Sequence, residues 1–74
     1  MNCNNIPYLT EREKQILVLV SRGLTNKEIA QALEIKPRTV EFHLGKVFQK
    51  LGVDSRTAAA VVAEKFGMFG MLEE

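Results

Sequence analysis

Side chains suited to nucleophilic or metal chemistry are sparse in this chain of 74 residues, which has one histidine, His43, and one cysteine, Cys3. A zinc site or a catalytic triad needs several such side chains that converge on one point. No second histidine or cysteine can join these two, and the sequence contains no glycine-rich phosphate loop or nucleophile motif. The sequence therefore predicts a protein that is not an enzyme and that uses no metal or cofactor. His43 is expected to pack beside the core.

Phosphate binding is the chemistry that the basic residues favour, because of where they lie. The formal net charge of the whole chain is only +1. Residues 36–52, however, carry four basic residues against one acidic residue, whereas residues 25–35 and 53–74 each carry more acidic than basic residues. Positive charge that is concentrated on one element is what a phosphate-facing surface requires. A solvated helix face gives a similar pattern, so the charge alone does not decide between the two.

Two capping boxes mark the starts of the first two helices. In this motif a Thr side chain and a Glu side chain three residues later bond to N–H groups at the start of a helix. Both Thr10 with Glu13 and Thr25 with Glu28 have the required spacing. Apolar residues follow each box at helical intervals. The pattern predicts a first helix over about 10–22 and a second helix over about 25–33.

Proline and glycine delimit the rest of the chain. Pro37 suits the first turn of a helix, where its missing N–H costs nothing, and Gly52 suits the left-handed position that ends a helix. They predict a third helix over about 37–51, and the apolar pattern predicts a fourth over about 55–66. Residues 1–8 lack periodicity and contain a proline, so we expect a flexible N-terminal segment there.

The third helix has one apolar side and one largely polar side. At 100° per residue, the apolar stripe consists of Val40, Leu44, Val47 and Leu51. The opposite side, called the outer face below, comprises Arg38, Thr39, Glu41, Phe42, Gly45, Lys46 and Gln49. A short helix, a three- or four-residue turn and a longer helix with a charged outer face are typical of a helix-turn-helix, here over about 25–45. In that motif the second helix lies in the DNA major groove.

The sequence around this motif resembles a known family. The resemblance rests on five groups of residues: Leu9-Thr10-x-Arg12-Glu13, Gly23-Leu24-Thr25-Asn26-Lys27-Glu28-Ile29-Ala30, Thr39-Val40-x-x-His43, Lys50-Leu51-Gly52-Val53 and Ser55-Arg56-Thr57. With these groups at this spacing, the chain looks like the LuxR/GerE-type DNA-binding domain, which is also found at the C-terminus of NarL/FixJ response regulators. The resemblance covers about residues 9–66 and implies an all-α, four-helix domain without a wing. We expect this domain to extend over residues 9–74. The resemblance also implies sequence-specific binding of double-stranded DNA that regulates bacterial transcription.

The helical phase and the resemblance together suggest which residues contact DNA. Cations and helix N-terminal N–H groups suit phosphates, and the phosphate candidates are Thr25, Asn26, Lys27, Lys36, Arg38, Thr39, Lys46 and Lys50. The base-reading candidates are Glu41, Phe42, Gly45 and Gln49. Here the sequence departs from the family, whose members often carry basic residues at the positions of Glu41 and Gly45. Glu41 can instead accept a hydrogen bond from the cytosine amino group. Phe42 can pack against a thymine methyl group or, alternatively, against a neighbouring helix.

The fourth helix predicts a second kind of contact. It is apolar around most of its circumference, whereas a terminal helix of a small domain needs only one apolar stripe. The resemblance implies that two subunits pair there, with Ala59, Val62, Ala63 and Phe66 as the candidate interface, and it makes RNA polymerase a candidate partner. No apolar run reaches the roughly 18 residues of a membrane span, and a single cysteine suits a reducing compartment. We therefore expect a cytoplasmic protein that does not contact membranes.

Two alternatives stay open at this point. The first is a stand-alone interaction module that pairs with a full-length LuxR-type regulator and inhibits it, which the low net charge and the acidic Glu41 favour. The second is a promoter-binding module like region 4 of sigma factors, which shares the Leu-Thr-x-Arg-Glu and helix-turn-helix pattern. The segment KLGVDSRTAAAVVA favours the LuxR type over the sigma type. The sequence does not decide whether the 74 residues are a complete protein or the end of a longer regulator.

Overall fold

The structure is a computed structural model that describes residues 9–65. This part of the chain forms α1 (Glu11–Ser21), α2 (Asn26–Leu33), α3 (Pro37–Leu51) and α4 (Arg56–Lys65), and it contains no strand. The prediction of an all-α, four-helix fold is confirmed, and every helix end within 9–65 agrees with its predicted position to one residue. None of these helices is long and apolar enough to cross a membrane. The predicted flexible segment 1–8 and the predicted end of α4 at Phe66 lie outside the described residues.

Both predicted capping boxes are present, and each sets where a helix begins. At α1, the Glu13 N–H donates to Thr10 Oγ1 at 3.1 Å and the Thr10 N–H donates to Glu13 Oε1 at 2.9 Å. At α2, the same pair of bonds joins Glu28 and Thr25 at 3.1 and 2.8 Å. A simpler cap starts α4, where Ser55 Oγ accepts an N–H of the first turn at 3.1 Å. Each cap satisfies N–H groups that have no partner within the helix.

The first three helices end alike, with one residue in the left-handed conformation followed by an apolar residue. The N–H of that apolar residue donates to the carbonyl five residues earlier, at 3.2, 2.9 and 3.0 Å in chain order. This is the Schellman arrangement. The left-handed residues are Gly23 (φ 89°), Glu34 (φ 58°) and Gly52 (φ 70°). Glu34 is the one residue of the three that is not glycine, and its Cβ atom crowds the backbone in this conformation.

α1 lies between two apolar clusters. The first cluster joins it to α4 and to the end of α3, and its buried members are Leu9, Leu17, Val18, Val47, Ala59 and Ala63. The second cluster joins it to α2 and to the first half of α3, and its buried members are Ile16, Leu19, Val20, Ile29, Ala30, Val40 and Leu44. Phe48 packs against both clusters. Five consecutive residues of α1, 16–20, are buried because the helix has apolar neighbours on two sides.

The second cluster fixes α3 relative to α2. Ile35, in the short turn between the two helices, packs against this cluster. Val40, Leu44 and Val47 of the predicted apolar stripe are buried, and Leu51 at its end is half-buried. The opposite, outer face of α3 is thereby turned towards solvent.

The structure corrects the predicted orientation of α4. Ala59 and Ala63, which were predicted at a subunit interface, have no exposed surface, because they pack in the first cluster of the same chain. Val62 is half-buried, whereas Val61 keeps 45% of its surface exposed. Residues 58–63 are all apolar, so helical spacing could not show that α1 would cover Ala59 and Ala63. Phe66, the last residue of the predicted interface, lies outside the described residues.

Candidate nucleic-acid interface

The outer face of α3 is open to solvent along most of its length. Glu41, Gly45, Lys46 and Gln49 are exposed, and Phe42 at the centre of the face keeps 61% of its surface exposed. Phe42 belongs to neither apolar cluster. The alternative in which Phe42 packs against a neighbouring helix therefore does not describe this structure, and the ring is available to an external partner.

Two neighbours on α3 hold the Phe42 ring. Lys46 Nζ lies 5.0 Å from the ring centroid, within the range of a cation–π contact. This contact is possible because residues four apart face each other on a helix. The half-buried His43 packs edge-on against the ring, with 5.7 Å between the ring centroids and an angle of 68° between the ring planes. The result is an apolar patch with a positive charge at its edge.

Five of the predicted contact residues line one open concavity of about 560 Å³ at the start of α3: Lys36, Arg38, Thr39, Glu41 and Phe42. Lys36 and Arg38 are exposed, and Lys36 makes no side-chain cap bond to α3. A lysine ammonium group has no acceptor atom, so it cannot cap a helix N-terminus. The structure thus brings three predicted phosphate contacts together with two predicted base-reading residues.

A second open concavity, of about 300 Å³, lies between α3 and the starts of α2 and α4. Its lining residues are Asn26, Glu41, Leu44, Gly45, Phe48 and Arg56. Glu41 lines both concavities, so this residue lies where the two meet. At Gly45, an added Cβ atom would meet nothing within 4 Å. The packing of the domain therefore does not require glycine at this position, and its absent side chain leaves the α3 backbone uncovered.

The three predicted contact residues at the start of α2 differ in their surroundings. Thr25 caps the helix, as described above. Asn26 Oδ1 accepts a hydrogen bond from Arg56 Nη1 at 2.6 Å. Lys27 is exposed beside the first-turn N–H groups, where the helix dipole favours an anion. Sequence reasoning did not single out Arg56 as a site residue, because it lies 30 residues from Asn26 in sequence. Its only signal was its place in the Ser-Arg-Thr group of the resemblance.

Lys50 differs from the other predicted phosphate contacts, because its charge is paired inside the domain. Its Nζ lies 2.7 Å from Glu13 Oε1, and the Glu13 side chain is only 3% exposed. Burial by itself raises the pKa of Glu13. Hydrogen bonds from Lys50 and from the Thr10 N–H, together with the charges of Lys50 and His43, outweigh burial and hold that pKa below its ordinary value.

Comparison with known proteins identifies the family. Residues 7–63 match GerE, described as "Bacterial regulatory proteins, luxR family". The chain is 47% identical to the transcriptional regulatory protein ComA of Bacillus subtilis over 60 residues, which cover 81% of this chain and 28% of ComA. It is 45% identical to LiaR of the same organism over 64 residues, which cover 84% of this chain and 30% of LiaR. It is 46% identical to the response regulator protein VraR of Staphylococcus aureus over 55 residues, which cover 74% of this chain and 26% of VraR.

The matched region and the fold agree. The chain spans less than a third of the length of these three relatives. The match at residues 7–63 includes α1, α2, α3 and all but the last two described residues of α4. This chain therefore belongs to the luxR family of bacterial regulatory proteins.

Proposed function

We propose that this domain binds double-stranded DNA in the major groove through the outer face of α3, and that this binding regulates bacterial transcription. One observation carries the proposal: the exposed face of α3 combines an apolar ring, a carboxylate and cations, while its opposite stripe is fixed in the core. A helix held in this way can enter the groove as a rigid element. Membership of the luxR family supports the same role.

Phosphate contacts are assigned to the exposed cations around the outer face. Lys36 and Arg38 lie at the start of α3, Lys46 lies about two turns further on, and Lys27 lies at the start of α2. Thr25, Asn26 and Thr39 would add uncharged donors to the phosphate oxygens. Lys50 is expected to contribute least, because Glu13 holds its ammonium group.

Base contacts are assigned to Glu41, Phe42, Gly45 and Gln49. A carboxylate repels DNA phosphates, so Glu41 is favourable only where it accepts from a donor such as the cytosine amino group. Phe42 is suited to a thymine methyl group, and the bare backbone at Gly45 allows α3 to approach the DNA closely. This combination would make binding depend on sequence more strongly than a uniformly basic helix would.

A homodimer contact is assigned to the outward side of α4. Val61 is exposed there and Val62 is half-buried, whereas the buried Ala59 and Ala63 take no part. A symmetric pair of domains would bind two half-sites of DNA. Contact with RNA polymerase stays a prediction. Because bacterial DNA lies in the cytoplasm, the proposal places the protein there.

Selection of bound duplexes from a random DNA pool tests the proposal. We expect an enriched motif that includes cytosine and thymine near the start of α3, and two symmetric copies of it if the protein binds as a dimer. A single copy of the motif, with only monomer in sedimentation at high concentration and on the selected duplex, would contradict the dimer.

The interaction module remains the second candidate, because the net charge of the chain is only +1. An inhibitor that acts only by pairing with a full-length regulator should show little affinity for random duplex DNA at low salt. The absence of both low-salt binding and an enriched motif would contradict the DNA-binding proposal and favour this second candidate.

A further inference from the structure

Arg56 links the N-termini of two helices. It is the first residue of α4, and Asn26 is the first residue of α2. Arg56 Nη1 donates to Asn26 Oδ1 at 2.6 Å, and Arg56 Nη2 donates to the carbonyl oxygen of Leu24 at 2.5 Å. Leu24 and Asn26 flank Thr25, the N-cap of α2. The planar guanidinium group therefore bridges the cap of α2 with two hydrogen bonds, which fixes the start of α2 relative to α4.

This contact determines how the Asn26 amide is oriented. A guanidinium group has donors and no acceptor, so Asn26 must turn its oxygen towards Arg56. The amide Nδ2, which carries two donor hydrogens, then faces away from Arg56. Asn26 also lines the concavity between α3 and the starts of α2 and α4, to which Glu41 and Gly45 contribute from α3. A donor held in this orientation at a helix N-terminus suits a phosphate oxygen.

Arg56 also differs from the exposed cations in its surroundings. Arg56 is half-buried, and two of the five N–H donors of its guanidinium group already bond to oxygens of the domain. Lys27, by contrast, is exposed at the same helix start. These two bonds favour a supporting role for Arg56 over a direct phosphate contact, and the salt dependence described below tests the choice.

We infer that Arg56 is a positioning residue for DNA binding, which acts by holding Asn26 so that Nδ2 donates to a DNA phosphate. The inference rests on the proposed DNA-binding function and extends it. It assigns a role in DNA affinity to a residue of α4 that lies outside the helix-turn-helix.

Four variants of the 74-residue chain test the inference: Arg56→Met, Arg56→Lys, Asn26→Ala and the double variant of Asn26→Ala with Arg56→Lys. The dissociation constant for a selected duplex is measured for each at several salt concentrations.

We expect both Arg56 variants to bind about five- to tenfold more weakly, the effect of one lost hydrogen bond. Lysine should not restore affinity, since one ammonium group cannot reproduce the planar two-bond geometry. In the Asn26→Ala background, Arg56→Lys should change affinity less than about twofold, because residues that act as one unit are not additive.

The salt dependence separates positioning from direct contact. A residue that acts through the uncharged Asn26 releases no counterions, so the slope of log K against log salt should stay that of the wild type. A slope shallower by about 0.9 in Arg56→Met, with recovery in Arg56→Lys, would show a direct phosphate contact and overturn the inference. Equal effects of Arg56→Lys in the wild-type and Asn26→Ala backgrounds would also overturn it.

A further variant, Asn26→Asp, controls for loss of folding. Aspartate keeps an oxygen for Arg56 but has no donor, so the domain should stay folded, as judged by circular dichroism, while DNA affinity falls at least tenfold. Wild-type affinity in Asn26→Asp would overturn the inference. A wild-type protein that fails to bind any duplex at low salt would instead remove the proposed function itself, so the two failures are distinguishable.

Discussion

Lys50 Nζ and Glu13 Oε1 lie 2.7 Å apart, in a contact that joins the last turn of α3 to the first turn of α1 across 37 residues of sequence. The same Glu13 oxygen accepts the Thr10 N–H in the capping box. One nearly buried carboxylate therefore serves both the start of α1 and the attachment of α3. Without the Lys50 ammonium group, the nearly buried carboxylate would lack an opposite charge. This change would lower the stability of the domain more than loss of an exposed ion pair does.

From the Glu13–Lys50 pair we expect the free energy of unfolding to depend on pH. Lys50→Met should lower the free energy of unfolding at pH 7 by about 1–3 kcal/mol. Because the pKa of Glu13 in the folded protein lies below its ordinary value of 4.5, the stabilisation is complete above that value. It is lost as the pH falls through the lower, folded-state pKa. The difference between wild type and Lys50→Met should therefore shrink at pH 3, as measured by urea denaturation at both pH values. Lys65→Met, at an exposed lysine, is the control, with a change below about 0.5 kcal/mol; an equal loss there would contradict the assignment.

We expect a substitution of Glu34 to stabilise the domain. Its left-handed conformation, with φ 58°, is the one that Gly23 and Gly52 adopt at the two equivalent helix ends. Glu34→Gly should raise the free energy of unfolding by about 0.5–1 kcal/mol, because relief of the crowded Cβ outweighs the greater freedom of glycine in the unfolded chain. Thermal denaturation checks this. Glu34→Ala removes the charge but keeps the Cβ atom, so it should give no such gain. Equal stabilisation by alanine would show that charge, and not backbone strain, is responsible.

Gly45 predicts opposite effects on stability and on DNA binding. An added Cβ atom meets nothing within 4 Å, and alanine is favoured over glycine inside a helix by about 0.5–1 kcal/mol. Gly45→Ala should therefore stabilise the domain by about that amount. If α3 approaches the DNA closely here, the same variant should bind a selected duplex about tenfold more weakly, a loss of about 1.4 kcal/mol. Denaturation without DNA and fluorescence titration with DNA measure the two effects separately. Unchanged DNA affinity in a stabilised variant would remove the close-approach role.

If Phe42 contacts a thymine methyl group, DNA affinity should depend on that single methyl group. Replacement of each thymine of the selected site by uracil removes one methyl group at a time. At one position, wild-type affinity should fall about three- to fourfold, the effect of about 0.8 kcal/mol for one buried methyl group. Phe42→Ala should bind the thymine and uracil duplexes equally. Thymines outside the site are the internal control, and a variant that still discriminates the two bases would exclude Phe42 as the methyl contact.

Lys46 and Lys50 predict different salt dependences, although they lie one turn apart on α3. Lys46→Ala should weaken binding to all duplexes and reduce the slope of log K against log salt by about 0.9, as expected for one phosphate contact. Lys50→Ala should change the slope less, because Lys50 is paired with Glu13. Titrations between about 50 and 200 mM salt would reveal the difference. An unaltered slope in Lys46→Ala would count against its phosphate contact.

Helix positions were predictable because their signals are local. The capping boxes at Thr10 and Thr25 and the left-handed Gly52 involve hydrogen bonds between residues three to five apart, so each forms wherever its few residues meet. The division of α3 into a buried stripe and an outer face also follows from helical geometry alone. The candidates that depend on this phase, from Glu41 to Gln49, are accordingly exposed on one face.

The partners of the charged residues were not predictable in this way. Spacing showed that Lys50 was basic and near the end of α3, but only the packing of α3 on α1 placed it beside Glu13. The same holds for Arg56, whose partner Asn26 is 30 residues away. On α4, the six consecutive residues 58–63 are all apolar, so the docking of α1 decided that Ala59 and Ala63 would be buried and Val61 exposed.

The amino-acid sequence by itself determined four helices, the two capping boxes, the Gly52 helix end and the family, because these depend on neighbouring residues and on motif spacing. Tertiary structure alone decided which charges remain available to a partner and which stabilise the domain. The physical reason is that an ion pair or a guanidinium bridge forms only when packing brings its two ends within about 3 Å. Lys50 has such a partner, because packing places its ammonium group beside Glu13. Lys46 instead lies beside Phe42 on the exposed face of α3.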